Sequence, residues 1–194
     1  FNVVAPTSIV STSPIQGAQF AYLQDHLAIT FNREMDHKSV EDRLKVDPEI
    51  PNMSLMWQAN HLIIGGNLRP STAYKIFLPS GAKDSKYGLT IANDFAWSFT
   101  TTQQYPYLAI INIGRYGVTA ADKPTTLKLQ SVNVSSVNVA LYKFDNATFV
   151  KSLGFSYENW RTFKPAGDPI KTWTLTPSSK IDQYVSQDLQ LDAL

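Results

Sequence analysis

Three histidines, a scatter of loop carboxylates and a generous share of aromatic rings are the groups that could do chemistry in this chain. His26, His37 and His61 are too widely spaced for a zinc ligand set, and they read as surface or turn residues. Asp36, Asp84 and Asp94 lie in or beside loops and could gather at one end of a β-sandwich, where calcium favours clustered oxygens. They lack the Asp-x-Asp-x-Asp series that such a site uses. Asp36 therefore reads better as a helix cap and Asp84 as a turn residue. No pair of carboxylates stands out as the acid and base of a glycosidase. The absence of cysteine excludes disulfides, cysteine-based zinc sites, iron–sulfur clusters and thiol catalysis. A G-x-S-x-G elbow, a phosphate loop and a dinucleotide fingerprint are also missing. The expectation is a chain with no catalytic, cofactor-binding or metal-ligating residues, not an enzyme in its own right.

The aromatics give a second possibility. Tyr105, Tyr107, Tyr116, Phe155, Tyr157, Trp160 and Phe163 include several near loops, where a flat platform could stack on sugar rings. The plainer reading is that most pack under the 154–169 segment or at the junction between the two halves. Trp57, Trp97 and Trp173 sit in alternating runs and read as core. Asn-x-Ser/Thr triplets at Asn52, Asn133 and Asn146 are about as many as chance gives, and they say nothing about glycosylation.

The elements that must position these residues are strands. Leu27, Ile29 and Phe31 alternate with Ala28, Thr30 and Asn32. Leu55 with Trp57, then Tyr74, Ile76 and Leu78, then Phe95, Trp97 and Phe99 each form one face of a period-two run. Ser13-Pro14-Ile15-Gln16-Gly17, Asn67-Leu68-Arg69-Pro70-Ser71 and Pro79-Ser80-Gly81 supply turn chemistry between runs. Ala59-Asn60 is a two-residue link, as a hairpin wants. One helical signal interrupts the pattern: Asp36 can cap a short segment from His37 to Arg43, with Val40 and Leu44 on one side. The second half alternates again through Leu127 and Leu129, Val137, Val139 and Leu141, and Trp173 and Leu175. Between these last two runs the polar and aromatic stretch 154–169 reads as a long loop. Polar residues 101–104 and Pro106 mark a boundary, predicting one domain over 1–102 and a second over 103–194. Strands at this spacing with such turns predict an all-β fold, two tandem β-sandwiches.

Composition narrows the partners. The chain has 194 residues, is 43% hydrophobic, and carries a formal net charge of +1. That balance does not point to nucleic acid or an anionic membrane. No apolar run approaches the roughly 20 residues needed to span a bilayer, so no membrane insertion is expected in this segment. The chain starts at Phe1 with neither initiator Met nor signal peptide, which reads either as a processed protein or as a piece of a longer one.

Several marks in the first half fall in a recognisable order. They are Ser11-Thr12-Ser13-Pro14, Phe31-Asn32 with Met35-Asp36, Leu68-Arg69-Pro70-Ser71-Thr72-Ala73-Tyr74, Gly81-Ala82-Lys83-Asp84, and a closing Trp97-Ser98-Phe99-Thr100-Thr101. In this register the half strongly resembles the bacterial Ig-like domain. The second half has Ile113-Gly114-Arg115-Tyr116-Gly117-Val118, Pro124-Thr125-Thr126, Val139-Ala140-Leu141-Tyr142-Lys143, Ile170-Lys171-Thr172-Trp173-Thr174 and Asp188-Leu189-Gln190-Leu191. It looks like the macroglobulin-type (fibronectin-III-like) sandwich that follows such a domain in bacterial α2-macroglobulin-like proteins. The resemblance implies a structural module of a protease-trapping, protease-inhibiting shell in the extracytoplasmic space, whether periplasm, cell surface or secreted. It implies neighbouring domains of a larger parent and a protease captured by that parent as partners. Some members carry an internal Cys–Gln thioester, which this cysteine-free segment cannot supply. It also implies a further strand after Leu191, so the second sandwich is expected to lack its last strand or two and to show an open edge there. The alternative expectation is a cell-surface adhesion or carbohydrate-binding module.

Overall fold

The computed structural model describes residues 4–113, 117, 124–177 and 180–191. The chain is all-β, two β-sandwich units in tandem, Phe1–Gln104 and Tyr105–Leu194. Residues Gly114, Arg115, Tyr116 and Val118 of the motif that opens the second half lie outside the described residues.

The first unit is built from β1 (Ile9–Ser13), β2 (Leu27–Phe31), α1 (His37–Glu41), β3 (Lys45–Asp47), β4 (Ser54–Gln58), β5 (His61–Gly65), β6 (Ala73–Leu78) and β7 (Phe95–Thr100). One sheet has the order β1-β2-β5-β4 and the other β3-β6-β7, with every pairing antiparallel. The period-two runs set which side chains face inward. Leu27, Ile29 and Phe31 from β2, Leu62 and Ile64 from β5, Tyr74, Ile76 and Leu78 from β6, and Trp97 and Phe99 from β7 form one buried cluster. Each such side chain removed from water stabilises the fold by about 1.5–3 kcal/mol. Tyr74 stacks on Phe99 at 5.6 Å, and Trp97 meets Phe99 at 5.4 Å. Tyr74 also keeps its hydroxyl satisfied by accepting the Arg69 N–H at 2.9 Å, as a buried phenol requires.

Two local readings need correction. Helix α1 ends at Glu41 with Asp42 as its C-cap, two residues short of the expected Arg43. Trp57 is half-buried, not core, because β4 lies at the edge of its sheet. The Ala59-Asn60 hairpin is present, with Gln58 opposite His61. Ala59 takes a positive φ of 50°, at the first central position where a tight turn of this kind favours glycine. Gly66, at φ 145°, is required for a different reason. A Cβ there would meet the Ile50 Cγ2 at 2.5 Å and the Pro51 carbonyl at 3.1 Å.

The second unit contains β8 (Tyr107–Ile110), β9 (Thr125–Val132), β10 (Val137–Leu141), α2 (Asn146–Leu153), α3 (Tyr157–Thr162), β11 (Lys171–Leu175) and β12 (Val185–Leu191). Its sheets are β12-β9-β8 and β10-β11, again antiparallel. Among the described residues, β12 pairs with β9 alone. Asn133 and Asp182 both take positive φ, a conformation their short polar side chains tolerate. They fasten two turns together reciprocally: the Asn133 amide donates to the Asp182 carboxylate, and the Asp182 N–H donates to the Asn133 side-chain oxygen, both at 2.8 Å.

The single expected helix is joined by two more. The stretch read as a long loop over 154–169 holds α3, and α2 precedes it. Both begin at side-chain caps. Asp145 accepts the Thr148 N–H, while Ser156 and Asn159 form a reciprocal capping box. Trp173, expected in the core, is half-buried on the two-stranded sheet with the Lys171 ammonium 5.2 Å over its ring.

Candidate functional site

Asp84 is the most constrained ionisable group in the first unit. It is only 3% exposed, in the loop that follows Gly81. A buried carboxylate is costly unless hydrogen bonds replace water. Here the Lys86 and Tyr87 N–H groups donate to Oδ1, and the Leu89 N–H donates to Oδ2 at 2.9 Å. The Thr7 hydroxyl lies 3.2 Å from both Asp84 Oδ2 and the Leu89 carbonyl, and its one hydrogen serves either. The Arg33 guanidinium stands 3.9 Å from Oδ2. Burial alone pushes the carboxyl pKa up, but hydrogen bonds from Tyr87, Thr7, Leu89 and Lys86 together outweigh it and hold the pKa below the ordinary aspartate value. The carboxylate is consumed by its own loop and by the chain's N-terminal segment. It has the environment of a structural anchor, with its side chain shielded from solvent and both oxygens accepting hydrogen bonds within the unit.

The other sequence-selected acids and bases are dispersed. Asp36 caps α1 through the Ser39 N–H, and Asp94 accepts the Ser80 N–H at 2.8 Å. No cluster of three His, Asp or Glu side chains that could hold a metal ion exists among the described residues. His26 is exposed. His61 pairs through Nδ1 with the Thr30 hydroxyl at 2.9 Å. His37 lies flat on Trp57, ring centroids 4.3 Å apart and planes 2° from parallel, while the Trp57 indole N–H donates to Glu41 at 2.8 Å. These contacts clip α1 to the edge strand β4.

The second unit carries the more open feature. Phe144, Phe155, Trp160 and Phe163 form an aromatic cluster around α2 and α3, with centroid separations from 5.2 to 6.0 Å. Phe155, Trp160 and Phe163 were selected from sequence; Phe144 was not. Beside the cluster is a cleft of about 500 Å³ lined by Phe144, Phe155 and Phe163 and by Lys143, Lys151 and Lys164. The Phe144–Phe163, Phe155–Trp160 and Trp160–Phe163 pairs meet at 87°, 72° and 78°. Rings arranged edge to face make poor flat platforms for a sugar. Tyr105, Tyr107 and Tyr157 are exposed and outside this cluster, and Tyr116 is outside the described residues. Of the three lysines, Lys164 falls in the 154–169 stretch that reads as a loop, while Lys143 and Lys151 lie before it and carry no local sign of a shared cleft. The capping signals Asp145-x-x-Thr148 and Ser156-x-x-Asn159 mark a helical pair that carries Lys151 on α2 and is flanked by Lys143 and Lys164.

No described helix is long and apolar enough to cross a membrane. Residues 3–101 match the bacterial Ig-like domain family. No curated protein matches the chain. Among solved structures, a mutant of Salmonella α2-macroglobulin is similar over 97% of this chain and 12% of its own, at 14% identity and a TM-score of 0.64. Salmonella α2-macroglobulin reacted with methylamine is similar over 96% of this chain and 12% of its own, at 15% identity and a TM-score of 0.61. A fragment of Escherichia coli α2-macroglobulin spanning domains MG0-NIE-MG1 matches over 96% of this chain and 60% of its own, at 14% identity and a TM-score of 0.45. The chain thus spans a small part of the length of the Salmonella proteins. At these identities the likeness is one of fold.

Proposed function

The chain belongs to the bacterial Ig-like domain family through residues 3–101, and from that premise we propose that it is a non-catalytic structural module of a bacterial α2-macroglobulin-like envelope protein, part of a shell that traps proteases. On this reading residues 1–102 are the Ig-like sandwich and 103–194 the macroglobulin-type sandwich that follows it. The carrying observation is their order: an Ig-like unit followed directly by a second antiparallel β unit, a pair whose fold is similar over nearly the whole chain to part of Salmonella α2-macroglobulin. The state of the ionisable groups agrees with a non-catalytic role. Asp84, Asp36 and Asp94 are each engaged by backbone N–H groups of their own unit. The proposed setting is extracytoplasmic, with neighbouring domains of the parent and a captured protease as partners and no nucleic acid.

The parent protein provides the test. Incubated with a model endoprotease, it should form a complex that still cleaves small chromogenic peptides but loses activity on casein. Unimpaired casein cleavage, or a parent reading frame with no further macroglobulin-type sandwiches, overturns the proposal. The purified 194-residue chain should itself turn over no peptide, ester or glycoside substrate.

A further inference from the structure

We propose that the helical segment between β10 and β11 is a docking site for an acidic peptide segment of a partner protein, one with apolar side chains interspersed among its carboxylates. The site is independent of whether the parent traps proteases.

Charge gives the first argument. Lys143, Lys151 and Lys164 are exposed around the cleft, and none forms an ion pair among the described residues. One carboxylate, Asp145, shares the lining and is already engaged. It caps α2 by accepting the Thr148 N–H at 2.7 Å, and hydrogen bonding from Thr148 holds its pKa below the ordinary value. The cleft therefore keeps a positive surplus over an apolar floor of Phe144, Phe155 and Phe163. Carboxylates at the rim would gain charge-assisted contacts, and an apolar side chain between them would fill the floor.

The second argument comes from the orientation of α2. A helix on a soluble protein usually turns its apolar stripe inward and its polar face outward. Here the buried residue of α2 is Ser152, whose hydroxyl bonds back to the Phe149 carbonyl at 2.7 Å. Phe149 and Leu153 are each 48% exposed and Val150 is 64% exposed. At 100° per residue, the exposed surface of the helix runs from cleft-lining Lys151 round to Val150 and Leu153. Cationic rim and aliphatic ridge are thus one continuous surface. A sugar polymer would use the charges but has no use for the ridge, and the edge-to-face rings give it no stacking plane. A peptide that alternates acid and apolar side chains uses both.

The experiment is fluorescence anisotropy on the 194-residue chain. The probe is a fluorescein-labelled peptide with leucine and phenylalanine interspersed among aspartates. Saturable binding is expected, weakening as salt screens the charges. Reversing Lys143→Glu and Lys164→Glu together should weaken it at least about tenfold, and Val150→Asp should weaken it severalfold. These side chains are exposed, so circular dichroism and melting of the variants should match the parent chain. Lys38→Glu, on the first unit, should leave binding unchanged. The proposal is overturned if no saturable binding occurs, or if the cleft substitutions have no effect on it. It is also overturned if a peptide with asparagine in place of aspartate binds equally well, or if polygalacturonate binds at these lysines while the peptide does not. None of these outcomes bears on casein protection by the parent, so the two proposals fail separately.

Discussion

The two units spend similar sequence in different ways. In the first, seventeen apolar residues are buried in one cluster; among the described residues of the second, four are: Leu129, Val132, Val137 and Leu189. The first seals its core between a four-stranded and a three-stranded sheet. The second has a three-stranded sheet, a two-stranded sheet and a helical pair in which α2 leaves Phe149, Val150 and Leu153 exposed. The lesson is that period-two alternation reports which residues share a face, while sheet size decides whether that face is sealed. A first unit with a full core can fix a buried carboxylate and a strained turn. A second unit with a thin core depends more on caps and reciprocal side-chain bonds.

The largest effect that would break this contrast is in the first core. Trp97 is fully buried against Phe99. Trp97→Ala should destabilise the first unit by about 3–5 kcal/mol, read by urea unfolding followed through circular dichroism. Trp173→Ala, from the half-buried position on β11, should cost clearly less. Equal losses would mean that the second unit is as well sealed as the first.

Next in size is Asp84. Its folded pKa lies below the ordinary value, so its stabilising contribution is complete above the unfolded-state pKa of about 3.9. It is lost as pH falls through the lower folded value. Asp84→Asn should lower the melting temperature at pH 7 by more than about 5 °C, because an amide nitrogen must face N–H donors that a carboxylate accepted. The gap between wild type and variant should then narrow as pH drops below about 4. A gap that is constant down to pH 2.5 would remove the charge from the account and leave only shape.

The fate of the individual readings follows from what local pattern can encode. Strands β2, β4, β6 and β7, the Asp36 cap and the Ala59-Asn60 hairpin were legible because each is decided by neighbours in sequence, whereas β1 and the three-residue β3 were not read as strands. Asp84 was legible as a turn residue through Lys86 and Tyr87, but its partner Thr7 lies 77 positions away and left no local trace. Trp57 was placed on the right face and in the wrong environment, since alternation does not distinguish an edge strand from a central one. Helices α2 and α3 were missed because they are only eight and six residues long, so Phe149, Val150 and Leu153 in one and Tyr157 and Trp160 in the other repeat for barely a turn or two. Their helicity is held by caps and local bonds, so the usual 3.6-residue apolar signal is faint. For the same reason the lysine-rimmed cleft was invisible until the helices were in place.

That dependence on caps sharpens the comparison at smaller scale. In α3 the Ser156 hydroxyl accepts the Asn159 N–H at 3.2 Å, and the Asn159 side chain accepts the Ser156 N–H at 3.1 Å. Ser156→Ala should cost about 1 kcal/mol, enough to unravel a six-residue helix that buries little. The expected readout is rapid amide exchange over Tyr157–Thr162, with the first unit unchanged. Unaltered protection there would mean that aromatic packing of Trp160 and Phe163 holds the helix without its cap.

The smallest effect tests the opposite property of the first unit, its tolerance of strain. Ala59 holds a left-handed backbone at φ 50°, which costs an ordinary residue about 1–2 kcal/mol relative to glycine. Its neighbour Asn60 is tied to β2 twice: the Phe31 N–H donates to the Asn60 carbonyl at 3.0 Å, and the Asn60 side-chain amide donates back to the Phe31 carbonyl. Ala59→Gly relieves the strain but frees the unfolded chain by about 0.4–1 kcal/mol. The difference predicts a net gain of a few tenths to about 1 kcal/mol, seen as a small rise in the urea midpoint of the first unit. A loss in place of a gain would show that the Ala59 methyl makes a contact worth more than the turn's strain, and that the tight hairpin is supported by packing as well as by its paired bonds to β2.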